Sequence, residues 1–132
     1  MKLYTYFRSS AAFRIRIALN LKGLSYESIP IHLIKDGGRN KTPEYRAINP
    51  QMKVPALVLD NGQVLTQSLA ILNYLDETHP APPFLPTDPI ARAQIRATGL
   101  LIACEIHPLN NVAPLRYLKN QLKHEQSDID AW

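Results

Sequence analysis

Cysteine is almost absent from this chain of 132 residues. The one thiol, Cys104, has no partner for an intramolecular disulfide and cannot form a multi-cysteine metal cluster; it suits a reducing compartment. Long apolar runs are missing too. None approaches the ~18 residues that span a bilayer. The amino-terminal apolar stretch is cut by Arg8, Arg14 and Arg16, where a secretory signal needs an unbroken apolar core. Basic runs, internal repeats and low-complexity tracts are also lacking. The formal charge of +4, from 15 Lys+Arg against 11 Asp+Glu, is modest. It leans toward acidic small molecules and gives a poor case for nucleic acid. The expectation is a soluble cytoplasmic protein with no nucleic-acid or membrane partner. The apolar fraction of 45% and charged fraction of 20% are ordinary globular values, and the length suits one domain or two small ones.

Proline is plentiful, with eleven residues, and its placement divides the chain. Pro80, Pro82, Pro83, Pro86 and Pro89 crowd residues 79–89, where they exclude a helix or a central strand. This stretch reads as a stiff linker between two units, residues 1–80 and 88–132. In the first unit KLYTY (2–6) predicts a strand. In the following RSSAAFRIRIALNLKG, Phe13, Ile17 and Leu21 recur at helical spacing beside Ala18. They predict a helix with that stripe inward, capped by Ser9 or Ser10 and ended by Gly23. YESIPIHL alternates and carries Pro30, as an edge strand does. Thr42 and Pro43 open a short helix that ends before Asn49-Pro50. Ala56–Leu59 and Val64–Thr66 flank a tight Asn61-Gly62 turn. QSLAILNYLDET forms a last helix, with Ser68 as its cap and Leu69, Leu72 and Leu75 at helical spacing. The order is βαβαββα. The second unit reads as all-helical, opened by Asp88 and Pro89, bent or interrupted at Pro108 and Pro114, with one more helix from Ser127-Asp128. It is too short to close a core easily, so it reads as an incomplete domain.

The fold class is therefore α/β, and the element order resembles a thioredoxin-like N-terminal domain followed by an all-α C-terminal domain, the plan of the glutathione transferases. The sequence resembles their zeta class more closely than the plan alone does. YTYFRSSAAFRIRIALNLKG, INPQMKVPALVLDNG, LTQSLAILNYLDE and IACEIHPLNN follow that class in order along nearly the whole chain.

The resemblance implies glutathione as cofactor and gives roles to particular residues. Ser9, with Ser10 as a second donor, implies a hydroxyl aimed at the thiol sulfur. A free thiol has a pKa near ~8.5, and both a helix amino terminus and a hydroxyl donor favour its anion. Read without the family, either serine is a plain helix cap. Ala11 stands where the class usually has cysteine, so glutaredoxin-like exchange lacks its attacking thiolate. The glutathione segment extends through Ala11 to Arg14, although Arg14 and Arg16 otherwise read as helix-surface residues. Val54, before Pro55, implies backbone pairing with the cysteinyl part of glutathione, the X-Pro bond being one that can be cis. Gln67 and Ser68 imply a hold on the γ-glutamyl carboxylate at a helix start. Asn40, His107 and Asn111 complete the implied glutathione contacts, and a lone histidine such as His107 otherwise reads as a surface or core residue. Arg8 is the implied clamp for a substrate carboxylate.

The implied activity is a glutathione-dependent cis–trans isomerisation of a maleyl acid, maleylacetoacetate to fumarylacetoacetate, through thiolate addition, rotation and elimination. Transferase activity, a homodimer and a place in tyrosine catabolism come with the resemblance. Maleylpyruvate is the other candidate substrate. The alternative is a non-catalytic glutathione-binding or protein-interaction module of the same fold.

Overall fold

The structure is a computed structural model that describes residues 1–132. It divides into two units, Met1–Leu85 and Pro86–Trp132. The first unit is built on a four-stranded sheet in the order β2-β1-β3-β4. Its strands are β1 (Lys2–Thr5), β2 (Glu27–Pro30), β3 (Ala56–Val58) and β4 (Val64–Thr66). β1 runs parallel to β2 and antiparallel to β3, and β3 pairs antiparallel with β4. Pro30 ends an edge strand, where its missing donor breaks no ladder. Gly62, at φ 83, makes the tight turn that joins β3 to β4.

Three helices pack on this sheet: α1 (Ser10–Leu21), α2 (Pro43–Ile48) and α3 (Ser68–Thr78). Alternation along β1 sorts the two cores. Leu3 joins Leu57 with Ile15, Ala18 and Leu19 of α1 and Ile71 and Leu75 of α3. Tyr4, on the other face, packs against Tyr45 of α2 with the rings tilted by 54° and their centroids 5.7 Å apart. Tyr6, Ala12, Ile31 and Val54 close a second cluster around Tyr45.

The rotation of α1 differs from the sequence expectation. Phe13, Ile17 and Leu21 remain 52%, 43% and 60% exposed. The buried stripe is Ala12, Ile15, Ala18 and Leu19, with Lys22 just beyond. Two apolar stripes compete on this helix, and the one with small alanines lets the helix approach the sheet closely. In α3 the core positions are Ile71 and Leu75, while Leu69 and Leu72 are half-buried.

Lys22 changes the reading of the proline-rich segment. Its side chain is fully buried, pairs with Asp76 at 2.7 Å and donates to the Pro82 carbonyl. The ammonium lies 4.1 Å from the centre of the Phe84 ring, and the Phe84 N–H donates to Asp76. Residues 82–84 are therefore strapped onto α1 and α3, so this part of the expected stiff linker belongs to the first unit.

The second unit contains α4 (Pro89–Leu100), a π-helical turn over Leu101–Ile106, α5 (Val112–Asn120) and α6 (Gln126–Ala131). Asp88 caps α4 by accepting from Ala91 N–H at 2.8 Å, with Pro89 in the first turn. Pro108 follows the end of the π turn. Pro114 interrupts nothing, because it sits in the first turn of α5, where a missing N–H costs no helical bond. None of these helices has a buried residue. Ile95, Leu100, Ile102, Ile106 and Trp132 are about half exposed, so the unit has no closed core.

The Lys22–Asp76 pair generates the first prediction. Burial alone would push the Asp76 carboxyl up, but hydrogen bonds from Lys22 and from the Phe84 and Leu85 N–H groups outweigh it and hold it below its usual range. A carboxyl depressed by folding stabilises above the unfolded value and loses that contribution as pH falls through the folded one. Asp76→Ala should cost about 3 kcal/mol at neutral pH in urea unfolding, at the lower end for a broken buried pair. The penalty should shrink below pH 4, where the unfolded carboxyl, at its ordinary value of 3.8, is protonated.

Candidate functional site

The first unit assembles its polar groups at the starts of α1 and α3. The chain leaves β1 through a turn, Tyr6 to Ser9, closed by Ser9 N–H to Tyr6 O at 3.0 Å. Ser9 then caps α1, its Oγ accepting from Ala12 N–H at 3.2 Å. That bond uses an oxygen lone pair. The hydroxyl hydrogen is left to donate elsewhere, so capping and donation to a sulfur anion are compatible. The leading N–H groups of α1 lack intrahelical acceptors and give this end a partial positive charge. Ser10 is exposed at the first helical position, Ala11 follows it half-buried, and Arg8 is exposed in the turn.

Arg14 and Ser68 are brought together. Arg14 Nη1 donates to Ser68 Oγ at 2.8 Å, linking α1 to the first residue of α3. This corrects two expectations: Arg14 is not simply a helix-surface residue but reaches across to α3, and Ser68 is not the cap. The cap position belongs to Gln67, which makes no side-chain capping bond. Gln67 sits at φ 66 and ψ 113, unfavourable backbone for a residue with a Cβ. Its amide donates to Gln51 Oε1 at 3.0 Å. The orphan N–H groups of α3 and the Arg14 guanidinium form a second anion-attracting locus.

Val54 lies between them in sequence, and the Val54–Pro55 bond is cis. The preceding carbonyl, Lys53 O, is held twice, by Tyr45 OH at 2.6 Å and by Asn49 Nδ2 at 2.7 Å. Burial pushes the Tyr45 phenol up to about 12, so it stays a donor at any physiological pH. Asn49, 1% exposed, also accepts from Gln51 N–H. Neither residue was singled out in the sequence, though an asparagine preceding Pro50 is a turn signal. Asn40 Nδ2 donates to Met52 O at 2.7 Å, while its buried Oδ1 has no partner. Gly38, at φ 101, passes close by: a Cβ there would lie 2.7 Å from that oxygen and 2.9 Å from the Leu33 carbonyl, a position that favours glycine.

His107 and Asn111 belong to the second unit. His107 ends the π-helical turn, its N–H bonding Ile102 O at 2.9 Å, an arrangement common at functional sites. Asn111 caps α5 by accepting from Val112 N–H at 2.7 Å. The same unit carries an open groove of about 550 Å³ along α4, flanked by Arg92 and Arg96. None of the candidate glutathione or substrate residues lines it. No group of three or more His, Cys, Asp or Glu side chains could hold a metal ion.

A profile of the glutathione S-transferase N-terminal domain matches residues 8–78. The chain belongs to the glutathione S-transferase family. It is 49% identical to the maleylacetoacetate isomerase of Pseudomonas aeruginosa, over all of this chain and 62% of that one. A holo maleylpyruvate isomerase, a bacterial zeta-class glutathione S-transferase, superposes with a TM-score of 0.94 at 43% identity, covering 100% of this chain and 61% of that structure. Maleylacetoacetate isomerase from Methylobacterium extorquens AM1, with bound malonate and GSH, gives 0.92 at 45% identity, covering 98% and 59%. This transferase-family chain thus spans about three fifths of the length of the relatives it matches. Its relatives include zeta-class enzymes, and its first unit has their thioredoxin-like architecture.

The donor set of the first unit fits glutathione chemically. A helix amino terminus with a free hydroxyl hydrogen suits a thiolate, and an arginine beside a second helix start suits a carboxylate. The unpaired Asn40 Oδ1 is an acceptor suited to an N–H donor.

The backbone at Gln67 is testable without any ligand. Gln67→Gly and Gln67→Ala both delete the exposed bond to Gln51, but only glycine is at ease at this φ. In urea unfolding the glycine variant should be the more stable of the two by about 1 kcal/mol. An alanine variant of equal or greater stability would show that the backbone relaxes.

Proposed function

We propose that this transferase-family chain is a glutathione-dependent isomerase of a maleyl acid, with maleylacetoacetate as substrate and fumarylacetoacetate as product. The observation that carries the reading is Ser9. It caps α1 through its oxygen and keeps a hydroxyl hydrogen to offer at a positively polarised helix start. Glutathione supplies a thiolate that adds to the maleyl double bond, allows rotation about the single bond so formed, and leaves again. The protein's part is to hold and polarise.

Ser9 O–H and the leading N–H groups of α1 stabilise negative charge on sulfur, with Ser10 as a second donor. Arg14, Gln67 and Ser68 hold the γ-glutamyl carboxylate at the start of α3. The Val54 backbone pairs with the cysteinyl part, on a segment fixed by Tyr45 and Asn49 through Lys53 O. Asn40 and Ala11 complete the cofactor contacts of the first unit, the resemblance to zeta-class transferases adds His107 and Asn111, and the exposed Arg8 binds a substrate carboxylate through its planar fork. Without a cysteine at position 11, thiol–disulfide exchange at this helix start is not part of the function.

The similarity to maleylacetoacetate isomerases supports the substrate class. Transferase activity toward other electrophiles, a role in tyrosine catabolism and a cytoplasmic location belong to the same proposal. So does a homodimer, supported by the apolar side chains that the second unit leaves exposed. No helix is long and apolar enough to cross a membrane.

Two variants separate thiol activation from cofactor binding. Ser9→Ala should cut isomerase turnover at least tenfold and raise the thiol pKa of bound glutathione, with little change in affinity. Ultraviolet titration of the bound thiolate reads this, and an unchanged pKa would transfer the role to Ser10. Ser68→Ala should weaken glutathione binding severalfold in calorimetry with a smaller effect on turnover. Both substrates, maleylacetoacetate and maleylpyruvate, should be assayed with and without glutathione. Glutathione binding without turnover of either would favour a non-catalytic binding module.

A further inference from the structure

Arg16 reads from the sequence as a helix-surface residue. In the structure its guanidinium spans three successive residues of the segment that leads into Ser9. Nη1 donates to Thr5 Oγ1 at 2.7 Å and to Tyr6 O at 3.3 Å, and Nη2 reaches Phe7 O at 3.4 Å. Thr5 is 6% exposed, so its hydroxyl gains its partner inside the fold. The Tyr6 carbonyl is the same one that accepts from Ser9 N–H to close the turn. The guanidinium also lies 5.1 Å from the centre of the Phe13 ring, which restricts its movement on the outer side.

We infer that Arg16 is a positioning residue for the Ser9 hydroxyl: its guanidinium braces the Tyr6–Ser9 turn from the side of α1 and fixes where the hydroxyl points. This deepens the isomerase proposal and rests on it. The chemistry favours arginine specifically. A planar fork meets acceptors on three residues with its direction fixed, whereas an ammonium on a flexible stem offers a single donor centre. The brace and the cap are coupled because both end on the same turn. Arg16 holds the Tyr6 carbonyl, that carbonyl holds the Ser9 N–H, and Ser9 Oγ holds Ala12 N–H. Loss of the fork leaves helix α1 packed by Ile15, Ala18 and Leu19 but lets its cap, Ser9, wander.

The test uses Arg16→Lys, with Thr5→Val as a second variant that deletes only the hydroxyl bond. Arg16→Lys should lower kcat for maleylacetoacetate isomerisation about tenfold while KM for glutathione stays within twofold. It should raise the thiol pKa of bound glutathione, and it should speed hydrogen exchange at the Ser9 amide without exposing the amides of the α1 interior. Thr5→Val should shift the same readouts in the same direction by a smaller factor. Combined with Ser9→Ala, Arg16→Lys should add less than a twofold further loss, because its effect passes through that serine. A lower melting temperature with unchanged kcat and unchanged Ser9 exchange would overturn the inference, as would losses that multiply in the double variant. If Ser9→Ala raises the thiol pKa and Arg16→Lys does not, the positioning role fails and the isomerase proposal stands. If wild-type protein does not activate the glutathione thiol at all, both fall.

Discussion

The rotation of α1 about its own axis is the constraint on which the first unit depends. With about 100° between successive residues, Ala12, Ile15, Ala18, Leu19 and Lys22 share one side, and that side is buried. Arg14 and Arg16 then flank the buried stripe, about 90° to either side of it, and point toward opposite neighbours. One finds Ser68 at the start of α3, and the other finds Thr5 and the turn carbonyls after β1. At the far end Lys22, sealed against Asp76, Pro82 and Phe84, holds the helix in this rotation. A rotation that buried Phe13, Ile17 and Leu21 would bury more apolar surface on α1. It would also expose the Lys22 cluster and break both arginine contacts.

Under the proposed function the two helix starts divide the labour. At α1 the attraction for an anion comes from backbone N–H groups and serine hydroxyls, with no charged side chain bonded to the cap. Under the proposed function that arrangement suits a sulfur anion, because no cation is committed to it and the sulfur stays nucleophilic. At α3 a full positive charge, Arg14, stands beside the helix start, as suits a carboxylate that need only be held. The segment between them is rigid because Lys53 O has two buried donors, Tyr45 and Asn49.

The element order was legible in the sequence because its signals are local. Pro43 behind Thr42, Asn61-Gly62 between apolar runs, and Asp88 before Pro89 each specify a boundary by their own chemistry. The inward side of α1 was not legible, since both stripes have helical spacing and the choice depends on what the sheet and Asp76 offer. The same holds for side chains whose partners are remote. Arg16 meets residues nine to eleven positions earlier, and Arg14 meets one 54 positions later. Ser68 resembled a cap because serine commonly is one, yet Gln67 takes that position in a backbone geometry that no pattern announces. The fully buried Lys22 looked like an ordinary residue before a terminal glycine.

The most direct test of the account is a crystal structure of this chain with glutathione bound. The account predicts the sulfur within hydrogen-bond distance of Ser9 Oγ, roughly 3 to 3.5 Å, with the γ-glutamyl carboxylate on the Ser68 N–H and Arg14. A sulfur turned away from Ser9 and held by another side chain would contradict it.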